Sequence, residues 1–91
     1  MTVLVDDAVW SWRGRRWAHL VSDESHEELH RFAASIGKRR EAFQGDHYDV
    51  DETERVLALR AGAVAVGSRE LVRRLRAAGL RRPRGVPSPH R

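Results

Sequence analysis

The greatest concentration of chemically active groups in this chain lies in residues 43–50, Phe-Gln-Gly-Asp-His-Tyr-Asp-Val. Asp46, His47, Tyr48 and Asp49 are consecutive, and they bring an imidazole, a phenol and two carboxylates together. These groups titrate, bind metal ions and hydrogen-bond substrates, whereas ordinary loops are built from Gly, Ser, Asn and Pro. The segment has neither helical nor strand periodicity. It therefore predicts a loop that carries a functional site.

Two kinds of chemistry fit these groups. His47 and Asp49 can act as a general base and the carboxylate that fixes its tautomer. Alternatively, Asp6 at the end of the first strand can join Asp46 or Asp49 in binding a divalent cation. We therefore predict Asp6, His47 and Asp49 as metal ligands, with Mg, Mn or Zn as the cofactor. For Asp6, capping of the turn after the strand is the plain alternative.

His19 lies among apolar neighbours in a predicted strand, where a buried imidazole needs a polar partner. The 43–50 segment can supply one, and His30 and Gln44 are predicted to line the same pocket. His26 is four residues before His30 on a predicted helix, but the pair lacks the Glu of a zinc-protease helix. The catalytic residues are predicted to be His47, Asp49, Tyr48 and His19.

Phosphate binding is predicted at two places. Ser68 and Arg69 open a predicted helix, where backbone N–H groups, the helix dipole and a guanidinium attract anions. An ordinary N-cap with a surface arginine is the alternative there. Arg40, just before the polar segment, is predicted to neutralise a phosphate group. The binding residues are therefore predicted to be Arg40, Gln44, His30, Ser68 and Arg69.

Three tryptophans, at positions 10, 12 and 17, interleave with arginines at positions 13, 15 and 16. Indole rings beside cations suit single-stranded nucleic acid, because bases stack on the rings and the cations meet phosphates. The alternative is a hairpin whose indoles pack on a sheet.

Several elements are needed to position these residues. Residues 3–5 and 17–22 read as strands, followed by a helix that begins with a capping box of Ser25 and Glu28. A loop leads to a second helix, capped by Asp51 and Glu54, then to a short strand at 63–66 and a third helix with Ser68 as N-cap. The order β-β-α-loop-α-β-α predicts an α/β fold, in which a small and at least partly parallel sheet packs with three helices.

The length of 91 residues predicts one domain, over residues 1–80, followed by a disordered Arg/Pro-rich tail at 81–91. Residues 68–91 hold eight arginines and one glutamate, a charge that suits nucleic acid or another polyanion. An arginine bias from GC-rich coding is the alternative. The chain has no cysteine, which excludes disulfides, thiolate metal sites and cysteine nucleophiles. With no leader or membrane-length apolar run, we expect a cytoplasmic protein without membrane contact.

Six short motifs of the chain occur together: TVLVDD at 2–7, WRGRRWAHL at 12–20, ELHRFA at 28–33, FQGDHYD at 43–49, AGAV at 61–64 and SREL at 68–71. On these motifs the chain resembles the bacterial and phage family called domain of unknown function 4031 (DUF4031). The resemblance covers residues 2–80 and implies no established activity. It does imply that the family keeps certain positions: Asp6, Trp17, His19, Leu20, Leu29, His30, Arg40, Gln44, His47, Tyr48 and Asp49.

Three functions stay open at this point. The first is metal-assisted or acid–base action on a phosphate-containing substrate or a nucleic acid. The second is nucleic-acid or phosphate binding without chemistry, carried by the basic C-terminal part. The third is a structural role, in which the polar cluster is a buried hydrogen-bond network and the protein docks on a partner or forms a homodimer.

Overall fold

A computed structural model describes residues 2–7 and 10–81, with a five-stranded sheet and three helices. The strands are β1 (Val3–Val5), β2 (Trp10–Trp12), β3 (Arg15–Ser22), β4 (Tyr48–Asp51) and β5 (Val64–Ala65). The helices are α1 (His26–Ser35), α2 (Glu52–Arg60) and α3 (Ser68–Ala77), with a short 3-10 turn at Arg40–Ala42. The predicted α/β class is confirmed. The predicted disordered tail lies almost wholly outside the described residues.

β3 is the central strand of the sheet. It pairs with β2 through Arg15, Arg16 and Trp17, and with β1 through residues 20–22. β4 pairs with residues 17–20 of β3, so β1 and β2 share the other edge of β3. These pairs are antiparallel, whereas β1 and β5 are parallel. The sheet is therefore mixed, as the prediction of a partly parallel sheet requires.

Two strand predictions are corrected by this sheet. The predicted loop between the first two helices ends in strand β4, and the second predicted strand is part of a hairpin that begins at Trp10. β4 has only four residues, Tyr-Asp-Val-Asp, and its alternation of apolar and acidic side chains is too short to stand out from the polar segment before it. The hairpin turns at Arg13-Gly14, whose φ values of 53° and 74° match the left-handed pair that a type I′ turn requires.

Different helices pack on the two faces of the sheet. Successive strand residues point to opposite faces, so Val5, Leu20 and Tyr48 lie together with Leu29 of α1 and Ala58 of α2. We call this the α1/α2 face. The opposite side, which we call the α3 face, packs Leu4 and Val21 against α3. This alternation also decides which polar side chains of β3 and β4 can meet.

The helix starts follow local sequence signals, with two corrections. At α2, Asp51 and Glu54 form a complete capping box. At α1 the predicted box is only half formed: the Ser25 hydroxyl accepts the N–H of Glu28, but the Ser25 N–H donates to the Ser22 hydroxyl, which itself donates to Glu28. The prediction that Ser68 caps α3 is wrong, because Gly67 occupies the N-cap position and Ser68 is the first helical residue. Its hydroxyl instead donates to Asp6 at 3.1 Å, which ties the start of α3 to the end of β1.

Among the residues that the structure describes, no helix has the length and apolar composition needed to cross a membrane.

Candidate functional site

The predicted site residues divide between the two faces of the sheet. His19 of β3 lies directly opposite Asp49 of β4, and Leu20 lies opposite Tyr48. Because neighbouring residues on a strand point to opposite faces, His19 and Asp49 share the α3 face, whereas Tyr48 points into the α1/α2 core. A single pocket containing all the predicted histidines is therefore not formed.

Asp6 lies directly after β1. Its backbone N–H and its carboxylate both contact His19 of β3. The Asp6 N–H donates to the His19 carbonyl at 3.1 Å, and Asp6 Oδ1 accepts the His19 N–H at 2.6 Å. The carboxylate is fully buried, which on its own disfavours its charge. Its hydrogen bonds with His19 and Ser68 outweigh that cost and lower the pKa of Asp6. The Asp6 carboxylate that contacts His19 is therefore both buried and ionised.

The same carboxylate orients the His19 ring. Asp6 Oδ2 lies 2.8 Å from His19 Nδ1. An ionised carboxylate only accepts hydrogen bonds, so Nδ1 carries the proton and donates it. The neutral tautomer then presents Nε2 with its lone pair, which is the form that binds metal ions or accepts a proton.

His47 is held in a comparable way by Asp46. The distance from His47 Nδ1 to Asp46 Oδ1 is 2.7 Å, and Asp46 is itself buried. On the other side of the ring, Nε2 lies 3.2 Å from Asp49 Oδ1. Desolvation of His47 favours its neutral form, but the hydrogen bond with Asp46 and the negative charges of Asp46 and Asp49 prevail and raise the pKa of His47 to about 9.

The contact between His47 and Asp49 is short without being a good hydrogen bond. Asp49 Oδ1 is buried, yet among the described residues it accepts no hydrogen bond of acceptable geometry. Its 3.2 Å separation from Nε2 makes an ion pair by distance, so the electrostatic attraction is real while the alignment is poor. A buried carboxylate oxygen normally has a hydrogen-bond or metal partner.

The two anchored imidazoles meet at the surface of the α3 face. The ring centroids of His19 and His47 are 5.1 Å apart, with the rings edge to face. One ligand atom each from His19, His47 and Asp49 lies within 4.8 Å of the others. Two of the three predicted metal ligands, His47 and Asp49, thus belong to one cluster, and His19 rather than Asp6 is the third member.

A cavity of about 250 Å³ opens beside this cluster, between the sheet and α3. Its polar wall is formed by Asp6, His19, Asp46 and His47, and its apolar wall by α3 side chains that include Leu71 and Leu75. The guanidinium of Arg81 also lines it, 3.9 Å from Asp46. The cavity therefore combines anchored imidazoles, carboxylates and one cation.

His30 and Tyr48 lie on the α1/α2 face, away from this cavity. His30 Nδ1 and the Tyr48 hydroxyl are 2.8 Å apart, and both rings pack on Phe43 at 4.6 and 5.4 Å between centroids. Burial raises the pKa of the Tyr48 phenol, and the nearby charge of Arg40 only partly opposes this. Tyr48 therefore stays protonated and bonded to His30 inside the core.

The other predicted binding residues lie at the surface. Arg40, Gln44 and Arg69 are exposed, and none of them lines the cavity. The backbone N–H of Gln44 donates to the His47 carbonyl at 2.8 Å, which shapes the turn before β4.

Sequence reasoning missed Arg55 and Arg81, and gave Asp46 only as an alternative ligand. Arg55 donates through Nε to the Asp6 carbonyl at 2.8 Å across a separation of 49 residues, for which the sequence carries no signal. The direct adjacency of Asp46 and His47 was the available signal for that pair.

The fold and site define a small mixed α/β protein with two carboxylate-anchored histidines and a third acidic group at one face of its sheet. The chain belongs to the family described as protein of unknown function DUF4031, whose model matches residues 3–78. No curated protein and no solved structure matches the chain.

Proposed function

We propose that this protein binds one divalent metal ion through His19, His47 and Asp49 and uses it to hydrolyse a phosphate ester. The observation that carries the proposal is the cluster of these three side chains, with ligand atoms within 4.8 Å of one another. Behind the imidazoles lie the buried carboxylates of Asp6 and Asp46. The second ring nitrogen of a metal-binding histidine regularly donates its N–H to such a carboxylate. This hydrogen bond fixes the ring and makes it a better ligand.

The spacing supports a metal ion of ordinary bond length. Bonds of about 2.0–2.2 Å in a tetrahedral site separate neighbouring ligand atoms by about 3.3–3.6 Å. His47 Nε2 and Asp49 Oδ1, at 3.2 Å, are close to that value already. Their poor hydrogen-bond alignment also fits a pair whose shared partner is a cation. The three ligand atoms lie within 4.8 Å of one another, so binding would require side-chain rotations that draw His19 towards the same ion.

The donor set narrows the choice of metal. Two imidazole nitrogens and one carboxylate oxygen suit Zn²⁺ or Mn²⁺ better than Mg²⁺, which prefers oxygen ligands and retains much of its water. Three protein ligands leave a position for water or substrate, as in catalytic zinc sites. Binding of the ion to His47 Nε2 would displace the proton that the charge of Asp49 favours there, while Nδ1 keeps its hydrogen bond with Asp46.

The cavity beside the cluster supports a phosphate ester as substrate. Arg81 lines the cavity and offers a cation to a phosphate oxygen. The ion would polarise the phosphoryl group and lower the pKa of a coordinated water molecule. Hydrolysis then joins a water oxygen to phosphorus and breaks one P–O ester bond, and the released alcohol takes up the proton that water loses.

The remaining predicted residues take other roles in this proposal. Asp6 is a positioning residue rather than a metal ligand, because both of its oxygens are engaged by His19. Ser68 supports Asp6 through its hydroxyl. Tyr48 and His30 stabilise the opposite face, and Arg40, Gln44 and Arg69 are not needed for the chemistry.

The test is a calorimetric titration of the full chain with Zn²⁺, Mn²⁺ and Mg²⁺. Hydrolysis of bis(p-nitrophenyl) phosphate, a diester, and of p-nitrophenyl phosphate, a monoester, is then measured with and without EDTA. We expect one site per chain, and hydrolysis that EDTA abolishes. The variants His47→Ala and Asp49→Asn should lose both properties. His26→Asn is the matched control, because it removes a half-buried histidine on the opposite side of the sheet.

Two outcomes contradict the proposal. One is the absence of stoichiometric binding for all three metals. The other is metal binding that persists unchanged in His47→Ala and Asp49→Asn. If the metal binds at this site but neither phosphodiester nor phosphomonoester is hydrolysed, the proposed metal site is kept. The proposed phosphate-ester substrate is then rejected.

A further inference from the structure

The hairpin of β2 and β3 carries an aromatic surface on the α3 face, next to the candidate metal site. Trp17 precedes His19 by two residues on β3, so both side chains leave the same face of the strand. Trp12 packs beside Trp17 with 6.0 Å between ring centroids, and the Trp17 indole N–H donates to the Trp12 carbonyl at 3.0 Å. The pair is therefore fixed in position by the strand pairing.

This surface is exposed and carries the guanidinium of Arg13. Trp12 is 56 % exposed, an unusual fraction for the largest apolar side chain. The guanidinium of Arg13 lies 4.6 Å from the centre of the Trp12 ring, in cation–π contact. Arg15 and Arg16 follow at the surface of β3, and Arg15 is paired with Asp51 at 2.6 Å. We call Trp12, Trp17 and Arg13 the hairpin platform.

A second basic surface borders the cavity on its other side. Ser68 and Val72 of α3 line both the cavity and an outer groove on α3. The groove is also lined by Arg69, Arg73 and Arg76. All three arginines are exposed. The charge of Arg73 is neutralised by Glu70. The candidate metal site thus lies between an aromatic platform and a row of arginines.

We propose that the substrate of this site is a single-stranded nucleic acid, whose bases stack on the hairpin platform and whose backbone continues past the metal site onto α3. The proposal rests on the proposed function for the cleaved bond, but the binding itself needs no metal ion. Stacking on a tryptophan requires an unpaired base with an open face, which a duplex does not offer. Guanidinium groups on both sides of the cavity complement the charge of successive phosphates.

The test measures binding of labelled ten-nucleotide strands to the full chain in EDTA. Oligo(dT), oligo(U) and a duplex of equal length are compared by fluorescence anisotropy and by quenching of tryptophan emission. We expect both single strands to bind more tightly than the duplex, and the ratio between them reports whether DNA or RNA is preferred. Trp12→Ala should weaken single-strand binding by about 5- to 150-fold, the range reported for loss of one stacked base, and Trp12→Phe should retain most of it.

Arginine variants separate the platform from general positive charge. Arg13→Ala should weaken binding and reduce the salt dependence by about one phosphate contact. Arg31→Ala is the matched control, because Arg31 is equally exposed but lies on α1, on the other side of the sheet. Equal losses for Arg13→Ala and Arg31→Ala would show that only net charge matters, and this outcome overturns the proposal.

Two further results would overturn the proposal. They are a duplex that binds as tightly as the single strands, and a Trp12→Ala variant that binds like the wild type. Because EDTA is present throughout, failure of the metal site leaves this measurement intact. Conversely, metal-dependent hydrolysis of the small ester without any oligonucleotide binding would rule out a nucleic-acid substrate. The proposed function would then remain.

Discussion

Within residues 10–81, each face of the sheet holds two histidines, but their partners differ in kind. On the α3 face, His19 and His47 each contact a buried carboxylate. On the α1/α2 face, His26 and His30 contact the ring of Phe43, and His30 also bonds the Tyr48 hydroxyl. A carboxylate orients an imidazole and supports charge on it, whereas a phenol and an aromatic ring mainly fill space. The partners therefore fit the proposed chemistry at one pair and a packing role at the other.

The difference follows from the strand register more than from residue type. His47, Tyr48 and Asp49 are consecutive, yet the pleat of β4 sends Tyr48 into the core and Asp49 to the opposite face. A shift of one residue in the pairing of β3 and β4 would exchange these side chains. The site thus depends on the same apolar contacts of Leu20 and Val50 that hold the sheet to its helices.

The largest expected effect comes from the packing face. Phe43→Ala removes the ring that joins His30 and Tyr48, and the free energy of unfolding should fall by about 3–5 kcal/mol. The added stability from Zn²⁺ or Mn²⁺, about 2.7 kcal/mol at a hundred times the dissociation constant, should remain, since all three proposed ligands lie on the other face. Urea unfolding with and without metal measures both quantities. Loss of the metal increment in this variant would mean that the two faces are not separate.

The next effect concerns the carboxylate behind His19. Asp6→Asn keeps the size of the side chain but places an amide N–H₂ or a weaker acceptor against His19 Nδ1. Loss of such an anchoring group typically weakens metal affinity by about 10- to 100-fold, and calorimetric titration would detect this. Ser68→Ala, which removes only the hydroxyl bound to Asp6, should have a smaller effect. Equal affinity in Asp6→Asn and wild type would rule out a positioning role for Asp6.

Local signals in the sequence predicted local features well. The capping pair of Asp51 and Glu54 and the cap at Ser25 depend on residues three positions apart, and both are formed. The Arg13-Gly14 turn is likewise encoded by adjacent residues. Such features need no knowledge of the rest of the chain, because a few neighbouring residues satisfy the free N–H groups or allow the turn.

The site itself could be predicted only in part, because it is assembled from distant segments. The sequence singled out His19, His47 and Asp49 by residue type, but it could not decide that Tyr48 and His30 point elsewhere. That decision requires the register of β3 and β4, and the sequence predicts a loop where β4 lies. Ser68 illustrates the same limit: its type suggested a cap, whereas the proximity of Asp6, 62 residues away, gives it a different partner.

A smaller effect distinguishes the contribution of the Tyr48 hydroxyl from that of the Tyr48 ring. Tyr48→Phe keeps the packing on Phe43 but leaves His30 Nδ1 without this hydrogen bond. We expect a loss of about 0.5–1.5 kcal/mol in the free energy of unfolding and no change in metal affinity or ester hydrolysis. Parallel urea unfolding and activity measurements test both statements. A strong loss of hydrolysis with little loss of stability would return Tyr48 to the catalytic residues and blur the distinction between the faces.

The smallest effect tests how charge holds α3 to the sheet. Asp23 accepts the Thr2 N–H at 2.9 Å and pairs with Arg74 of α3 at 2.6 Å. Burial alone would raise the pKa of Asp23, but the Arg74 and Thr2 hydrogen bonds lower it below the ordinary 3.8. Because the folded state favours the ionised form, Asp23 contributes stability above pH 3.8, and this contribution disappears as pH falls through the lower folded value.

Asp23→Asn should therefore lower the free energy of unfolding by about 0.5 kcal/mol at pH 7, and the difference from wild type should shrink towards zero in strong acid. Glu24→Gln is the matched control, because Glu24 is the adjacent exposed carboxylate and its difference should be small at every pH. Urea unfolding between pH 2.5 and 7 distinguishes the two variants. An Asp23→Asn difference that stays constant across this range would mean that the Arg74 pair does not hold α3, and that apolar contacts of Leu71 and Leu75 alone close the cavity wall.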